Sequence, residues 1–294
     1  MLQVNLPPGL DGPRLACLRE PCARDELACA DTRPVTASYL LERLLLKSSS
    51  ATISPDSVWT MTLSDRDRLI AALHQHCFGD SIQAVVTCAS CQQRFELGFS
   101  LQDLLDEMGR RTREAHRRLC EQGKLEGERA LSKVTGDGEV AAQWSALYAL
   151  GDGLRFRAPA TGDERDLSEQ VDPRQSWIIE RCLVGEAEPG VGHKLEQAQV
   201  QALEQALDQL APILSVELSA ECRECHATQT AHFDMAGYFL EALVRERPLV
   251  VREIHCLARA YGWNHSEILG LPRSLRQAYV ALIVGESEPQ ELWA

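Results

Sequence analysis

VVTCASCQQRFELGF, Val85–Phe99, and LSAECRECHATQTAHFDM, Leu218–Met235, each set a Cys-x-x-Cys between residues that alternate apolar and polar. Alternation of period two reads as half-buried strand, so each stretch predicts a β-hairpin with two cysteines on its turn. The two pairs lie a constant 134 residues apart (222 − 88 and 225 − 91). The same offset sets Leu69 on Leu203, Leu73 on Leu207, Ile82 on Val216, Ala84 on Leu218, Phe99 on Phe233 and Leu101 on Met235. Leu104 and Leu105 fall likewise on Tyr238 and Phe239.

Further upstream the offset becomes 138. There YLLERLL, Tyr39–Leu45, faces WIIERCL, Trp177–Leu183. Arg19-Glu20-Pro21 faces Arg157-Ala158-Pro159, and Asp25-Glu26 faces Asp163-Glu164. A four-residue difference in one loop accounts for the change, and surface loops accept such differences at small entropic cost. These matches in sequence order read as an internal duplication.

Each copy follows one plan. A short strand, Leu15–Leu18 or Leu154–Arg157, leads through a polar loop to a helix around Tyr39 or Trp177. A variable linker follows, Ser48 to Pro55 or Gly185 to Gly192, and then a helix, Ser64–His76 or Glu196–Leu210. Ser64 with Asp67 three residues on has the spacing of a capping pair. Strand, Cys-x-x-Cys turn, strand and helix close the copy. The expected fold is α+β, with a first repeat unit at 1–105, a charged helical connector at 106–135, a second unit at 136–240 and a C-terminal helical tail at 241–294. In the connector, Asp106–Leu131 has helical composition, and Arg110, Arg111, Arg113, Arg117 and Arg118 form its basic patch. Interleaved acids favour a solvated helix with i,i+4 ion pairs over a phosphate site. Thr135-Gly136-Asp137-Gly138 breaks that helix. In the tail, Tyr238–Tyr261 has helical apolar spacing, Gly262 is a stop, Asn264 with Glu267 is a new cap, and Leu271-Pro272 precedes a last helix, Arg273–Val284.

The chain has 294 residues, 45% hydrophobic and 25% charged, the balance of a folded globular protein. A net charge of −13 argues against a general nucleic-acid binder, which needs basic surface to displace counterions from phosphate. The start, MLQVNLPPGLDG, lacks the charged and apolar regions of a secretory signal, and no apolar run is long enough to span a bilayer. The expectation is a cytoplasmic protein whose 11 cysteines are thiols or metal ligands.

Two cysteines on a tight hairpin turn supply half of a tetrahedral shell, and structural zinc takes four such ligands. Neither copy has a second pair of its own. The economical arrangement brings the turns together across a pseudo-two-fold axis, with Cys88, Cys91, Cys222 and Cys225 sharing one Zn²⁺. His226 and His232 stand beside the second pair as alternative ligands. A redox dithiol is the less favoured reading, because such pairs ordinarily open a helix. A metal-free hairpin also remains open. Cys17, Cys22, Cys29, Cys77, Cys120, Cys182 and Cys256 show no ligand spacing.

No phosphate-binding glycine loop and no nucleophile elbow is present. His74 and His76 suit surface placement, and His255 after Glu253 lacks the spacing of a helical zinc protease. Glu42-Arg43 and Glu180-Arg181 read as ion-pairing residues on a helix surface or between copies. The chain reads as a non-enzyme.

The run from Thr62 to Leu105 resembles the baseplate hub and assembly proteins of T-even-type contractile-tailed phages and of related contractile injection systems. It carries LS-x-x-[DE]-R at Leu63–Arg68, Phe78-Gly79-Asp80, and the Cys88/Cys91 turn. The second half, from LRFRAPATGDERDL to HFDMAGYFL, is similar to the degenerate second unit of longer members. Tyr261–Ile283 is similar to a segment attached to or encoded beside them. Where the family's turn is often Cys-Pro-x-Cys-Gly, this chain has Cys-Ala-Ser-Cys-Gln and Cys-Arg-Glu-Cys-His. The resemblance implies a structural or assembly role in a baseplate, and partners that are other tail proteins rather than membrane, nucleic acid or a small substrate. It places the chain in the cytoplasm of the producing cell or in the particle itself. The runner-up is a zinc-knuckle module that binds nucleic acid or regulates.

Overall fold

A computed structural model describes residues 1–9, 12–48, 51–121, 125–134, 140–149, 155–170, 177–184 and 196–287, with backbone alone at 7–9, 12–13, 119–120, 125–134 and 140–147. The fold is α+β. Strands β1 (Leu2–Gly9) and β2 (Gly12–Leu18) pair antiparallel. Helices α1 (Ala23–Ala28) and α2 (Pro34–Leu44), a 3-10 helix (Pro55–Thr60) and α3 (Leu63–Phe78) follow. The first hairpin is β3 (Ser81–Thr87) with β4 (Arg94–Ser100), and it runs into α4 (Leu101–Glu121). A three-stranded sheet is ordered β5 (Leu125–Val134), β6 (Val140–Ala149), β7 (Arg155–Arg157). Then come α5 (Thr161–Ser168), α6 (Trp177–Cys182) and α7 (Gln197–Leu210). The second hairpin, β8 (Ser215–Glu221) with β9 (Thr228–Asp234), leads into α8 (Met235–Tyr261), α9 (His265–Leu269) and α10 (Arg273–Ser287).

The apolar spacing decides which faces are buried. Helix α2, opened by Pro34 at its first turn, buries Val35, Leu40, Leu41 and Leu44. Helix α3 buries Leu69, Ile70 and Leu73. These residues join Leu101 and Met108 from the first half, and Leu214, Phe233, Met235, Phe239, Leu240 and Leu243 from the second, in one core. Fully burying each large aliphatic side chain contributes about 1.5–3 kcal/mol, and here both halves supply the partners. A second cluster joins Ala115 of α4 to Tyr148, Phe156, Ile179, Leu203 and Leu210.

Identical contacts recur 138 residues apart. Leu18 bridges Leu45, and Phe156 bridges Leu183. Leu46 N–H donates to Cys17 C=O at 2.8 Å, and Val184 N–H to Arg155 C=O at 2.9 Å. Arg19 pairs with Asp25 and Arg157 with Asp163, each at 2.6 Å. Arg43 and Arg181 approach the same two aspartates at 3.0 and 3.6 Å. Of the residues read as surface or inter-copy ion pairs, Arg43 and Arg181 thus close on a buried carboxylate within their own half, and Glu42 accepts the Trp59 indole N–H at 3.1 Å.

Several expectations are corrected. The Ala23–Ala28 and Thr161–Ser168 segments are short helices rather than loops. Thr62, not Ser64, caps α3 by accepting Asp65 N–H at 3.1 Å, because the helix begins one residue earlier. The connector's helix ends at Glu121, and Leu125–Val134 is a strand paired along its length with β6. Strand pairing there overrides a charged, helix-like composition, and Gly127 is a poor helix residue. Thr135–Gly138, Leu154 and Gly185–Gly192 lie outside the described residues. The boundary at 240/241 falls inside α8, whose N-terminal half belongs to the main core while Val250, Ile254 and Leu257 pack with Ala23 and Ile268. His74 is buried against Phe78, Tyr238 and Phe239 instead of lying on the surface. As the acid interleaving predicts, Arg110 and Arg111 are held by Glu107 at 2.5 and 2.6 Å.

Candidate metal centre

Both hairpins share one register. Thr87 pairs with Arg94 and Ser81 with Ser100, and Glu221 pairs with Thr228 and Ser215 with Asp234, each 134 positions on. Alternation sends Ile82, Phe95 and Phe233 inward. At the first turn Cys88 N–H donates to Gln93 C=O and Gln92 N–H to Cys88 C=O, both at 2.9 Å. At the second, Cys222 N–H donates to Ala227 C=O at 3.0 Å and His226 N–H to Cys222 C=O at 2.9 Å. Tightening the chain this far puts Gln92 at φ 59° and His226 at φ 58°, the left-handed region. Glycine adopts that region without a Cβ penalty, and neither turn carries one there. Both turns close with the same hydrogen bonds all the same.

The turns meet. Cys88 Sγ lies 3.6 Å from Cys225 Sγ, and Cys91 Sγ 3.7 Å from Cys222 Sγ. Exchanging the hairpins maps one contact onto the other, as a local two-fold axis requires. All four sulfurs lie within 4.8 Å of one another. A tetrahedron with metal–sulfur bonds of about 2.3 Å has edges of roughly 3.8 Å, which the two contacts between hairpins match and which lies within the spread of the whole cluster. Other contacts hold this approach. Ala89 N–H donates to Gln229 Oε1 at 3.0 Å, and the Tyr238 hydroxyl donates to Gln83 C=O at 3.1 Å. Phe99 and Phe233, equivalent positions, meet edge to face at 5.2 Å. Gln229 and Tyr238 carry no ligand or motif signal in the sequence. Only the shared offset of 134 marks their neighbourhood.

Burial grades the ligands: Cys88 and Cys222 are fully enclosed, Cys91 is half-buried and Cys225 is exposed. The thiols also differ in acidity. The backbone N–H groups of Cys91 and Ser90 pull Cys88 down to about 6, against burial. At Cys91 the Gln93 N–H acts in the same sense, but burial and the neighbouring sulfurs push the thiol up to about 12. Cys225 is raised as well, the neighbouring Cys88 and Cys222 thiols and burial prevailing over the Ala227 N–H. Four thiolates this close repel unless a cation sits among them, and a divalent metal removes that repulsion while releasing protons.

The histidines stand apart. His226 Nδ1 is 2.7 Å from Glu221, and His232 Nε2 is 3.2 Å from the Ser215 hydroxyl. Neither belongs to the sulfur cluster, which is the one metal-competent group among the described residues. Cys29, in the main core, and Cys77 and Cys182, beside charged groups, are thiols pushed up to about 11, 12 and 12, by burial above all. Among the described residues no helix is long and apolar enough to cross a membrane.

No family model, curated protein or solved structure matches this chain.

Proposed function

We propose that this chain is a non-enzymatic structural or assembly protein of the baseplate of a contractile tail or injection system. It acts through protein–protein contacts, with one Zn²⁺ held by Cys88, Cys91, Cys222 and Cys225. The observation that carries the metal reading is the convergence of four sulfurs from two sequence-distant hairpins to within 4.8 Å of one another. Bound there, zinc is a structural pin: its four ligands come from both halves, so metal binding and folding of the whole body are one equilibrium. Two features support a building-block role. The hydrophobic core is shared between the halves, and the family resemblance runs from about Leu15 to Ile283. The producing cell's cytoplasm, and then the tail or injection particle, is the place this role assigns.

The test has two arms. Elemental analysis of purified protein should give one zinc per chain, and its absence from protein refolded with zinc overturns the metal centre. Deletion of the gene should abolish assembled tails or injection particles. Normal particles with normal injection overturn the baseplate role and leave the metal centre standing.

A further inference from the structure

The most heavily charged part of the interior is a joint that the chain builds twice. In the first instance the start of α3 docks on the turn before α5. Leu63 N–H donates to Pro159 C=O at 3.0 Å, Thr62 bridges Ala160, and the buried Arg66 guanidinium reaches Glu164 at 2.6 Å. In the second the start of α10 docks on the turn before α1. Arg273 N–H donates to Pro21 C=O at 2.9 Å, Pro272 bridges Cys22, and the fully buried Arg276 reaches Glu26 at 2.6 Å. The turn positions differ by 138 (159 − 21, 164 − 26) and the helix positions by 210 (273 − 63, 276 − 66).

The repeat offset of 134 makes α7, not α10, the counterpart of α3. Yet α7 has Val200 where α3 has Arg66, and Glu196 and Gln197 at its start are exposed. The seat that symmetry reserves for α7 is therefore filled by a helix from elsewhere in the chain. Connection does not dictate the pairing either. Helix α3 precedes its seat in sequence, whereas α10 follows its own by some 250 residues. The seat is chemically selective. Glu20 accepts Ser274 N–H and its hydroxyl at 2.6 and 2.7 Å, Glu246 and Glu26 take Arg273, and Glu253 takes Arg276 at 2.6 Å. Such a ring of carboxylates, Glu26 fully buried, admits only a helix start that brings both arginines.

We infer that the Glu20–Glu26 turn and the adjoining face of α8 form a helix-docking site, filled in cis by α10 and open to α10 of a second copy of this chain. Gly262, at φ 68° and exposed, ends α8 in the left-handed conformation and is the pivot from which α9–α10 leaves. Exchange of α10 between copies joins them through contacts the monomer already makes, as domain swapping does. This inference is independent of the metal centre and of the baseplate reading.

Two full-length variants test it. Arg273→Glu/Arg276→Glu keeps the seat and loses the plug, while Glu26→Arg keeps the plug and loses the seat. Each alone should run as a monomer in sedimentation equilibrium, and a mixture should give a one-to-one complex of twice the chain mass. A mixture that stays monomeric, with both variants folded by circular dichroism, overturns the inference. Should either variant fail to fold, a labelled peptide of residues 264–287 is titrated against the wild-type and Arg276→Ala chains. Binding should be at least about tenfold tighter to Arg276→Ala, whose own plug has lost its two charged hydrogen-bonded pairs, with Glu26 and Glu253. Equal binding, or none, overturns the inference.

Discussion

Replacing Asp163 by Asn should cost this protein far more than replacing Asp25 by Asn, although the two residues occupy equivalent places. Asp163 accepts two hydrogen bonds from Arg157, at 2.6 and 2.9 Å, and one from Ala160 N–H at 2.9 Å. The side chain of Arg157 is 9% exposed, so neutralising Asp163 strands a guanidinium that water cannot reach. Breaking a buried pair from one side costs about 3–5 kcal/mol. Asn keeps an oxygen for the Ala160 N–H, so the turn itself survives. Asp25 makes the same three hydrogen bonds, to Arg19 and Cys22 N–H. Its arginines, however, are 36% and 39% exposed and rehydrate when the charge is removed. The cost should fall to about 1–2 kcal/mol, between an exposed ion pair and a charged hydrogen bond. Urea unfolding followed by far-ultraviolet circular dichroism measures both, and the shared core predicts one transition with an unchanged m-value. Equal costs, or a larger one at Asp25, would refute the argument that solvent access to the arginines sets the scale.

Cys91→Ser and Cys222→Ser, drawn from different hairpins, should each abolish stoichiometric zinc and lower the melting temperature to that of chelator-treated wild type. Retention of one zinc by Cys222→Ser, seen by elemental analysis, would contradict a shared site. Burial holds His74 below its ordinary range, against the opposing pull of the nearby Gly79 backbone and the charge of Asp80. The unfolded chain therefore binds the extra proton first, and stability should fall as pH drops below about 6.5, by at most about 1.4 kcal/mol per unit. His74→Phe should remove that slope in denaturation series at pH 5 to 7. His226→Gly should raise stability by about 0.5–1 kcal/mol, the left-handed penalty less the added freedom of an unfolded glycine. Gln92→Gly should gain a similar amount, since each change also removes one exposed contact, His226 with Glu221 at 2.7 Å and the Gln92 amide with Ala89 C=O at 3.1 Å. Thermal unfolding of the metal-free chains measures both.

The sulfur cluster was legible because its signal is local and repeated. Two cysteines on a hairpin turn, seen twice without a second pair nearby, leave few partners except each other. The apolar spacing of α2, α3 and α8, the Gly262 stop and the Asn264 cap are local in the same way. What stayed hidden depends on contacts far apart in sequence. Asp25 and Asp163 look like polar loop residues until Arg43 and Arg181 close over them. Arg66, Glu26 and Arg276 resemble ordinary helix-surface charges, and their burial follows only from docking between distant segments. Leu125–Val134 takes its extended form from β6 rather than from its own composition. The tail is not separate, because the apolar face of α8 starts inside the main core and passes out of it without a break.

The common core constrains the order in which the molecule can be made. Leu69, Ile70 and Leu73 leave the ribosome well over a hundred residues before Phe239, Leu240 and Leu243, which cover them. At ordinary rates of synthesis that interval is roughly ten to thirty seconds, during which the nascent N-terminal half shows its oily side to the cytosol. Emerging chains on one polysome can therefore stick to one another, and a trigger-type holdase at the exit port would raise the yield of folded protein. Separate expression of residues 1–135 should give aggregates that co-expression with 136–294 dissolves.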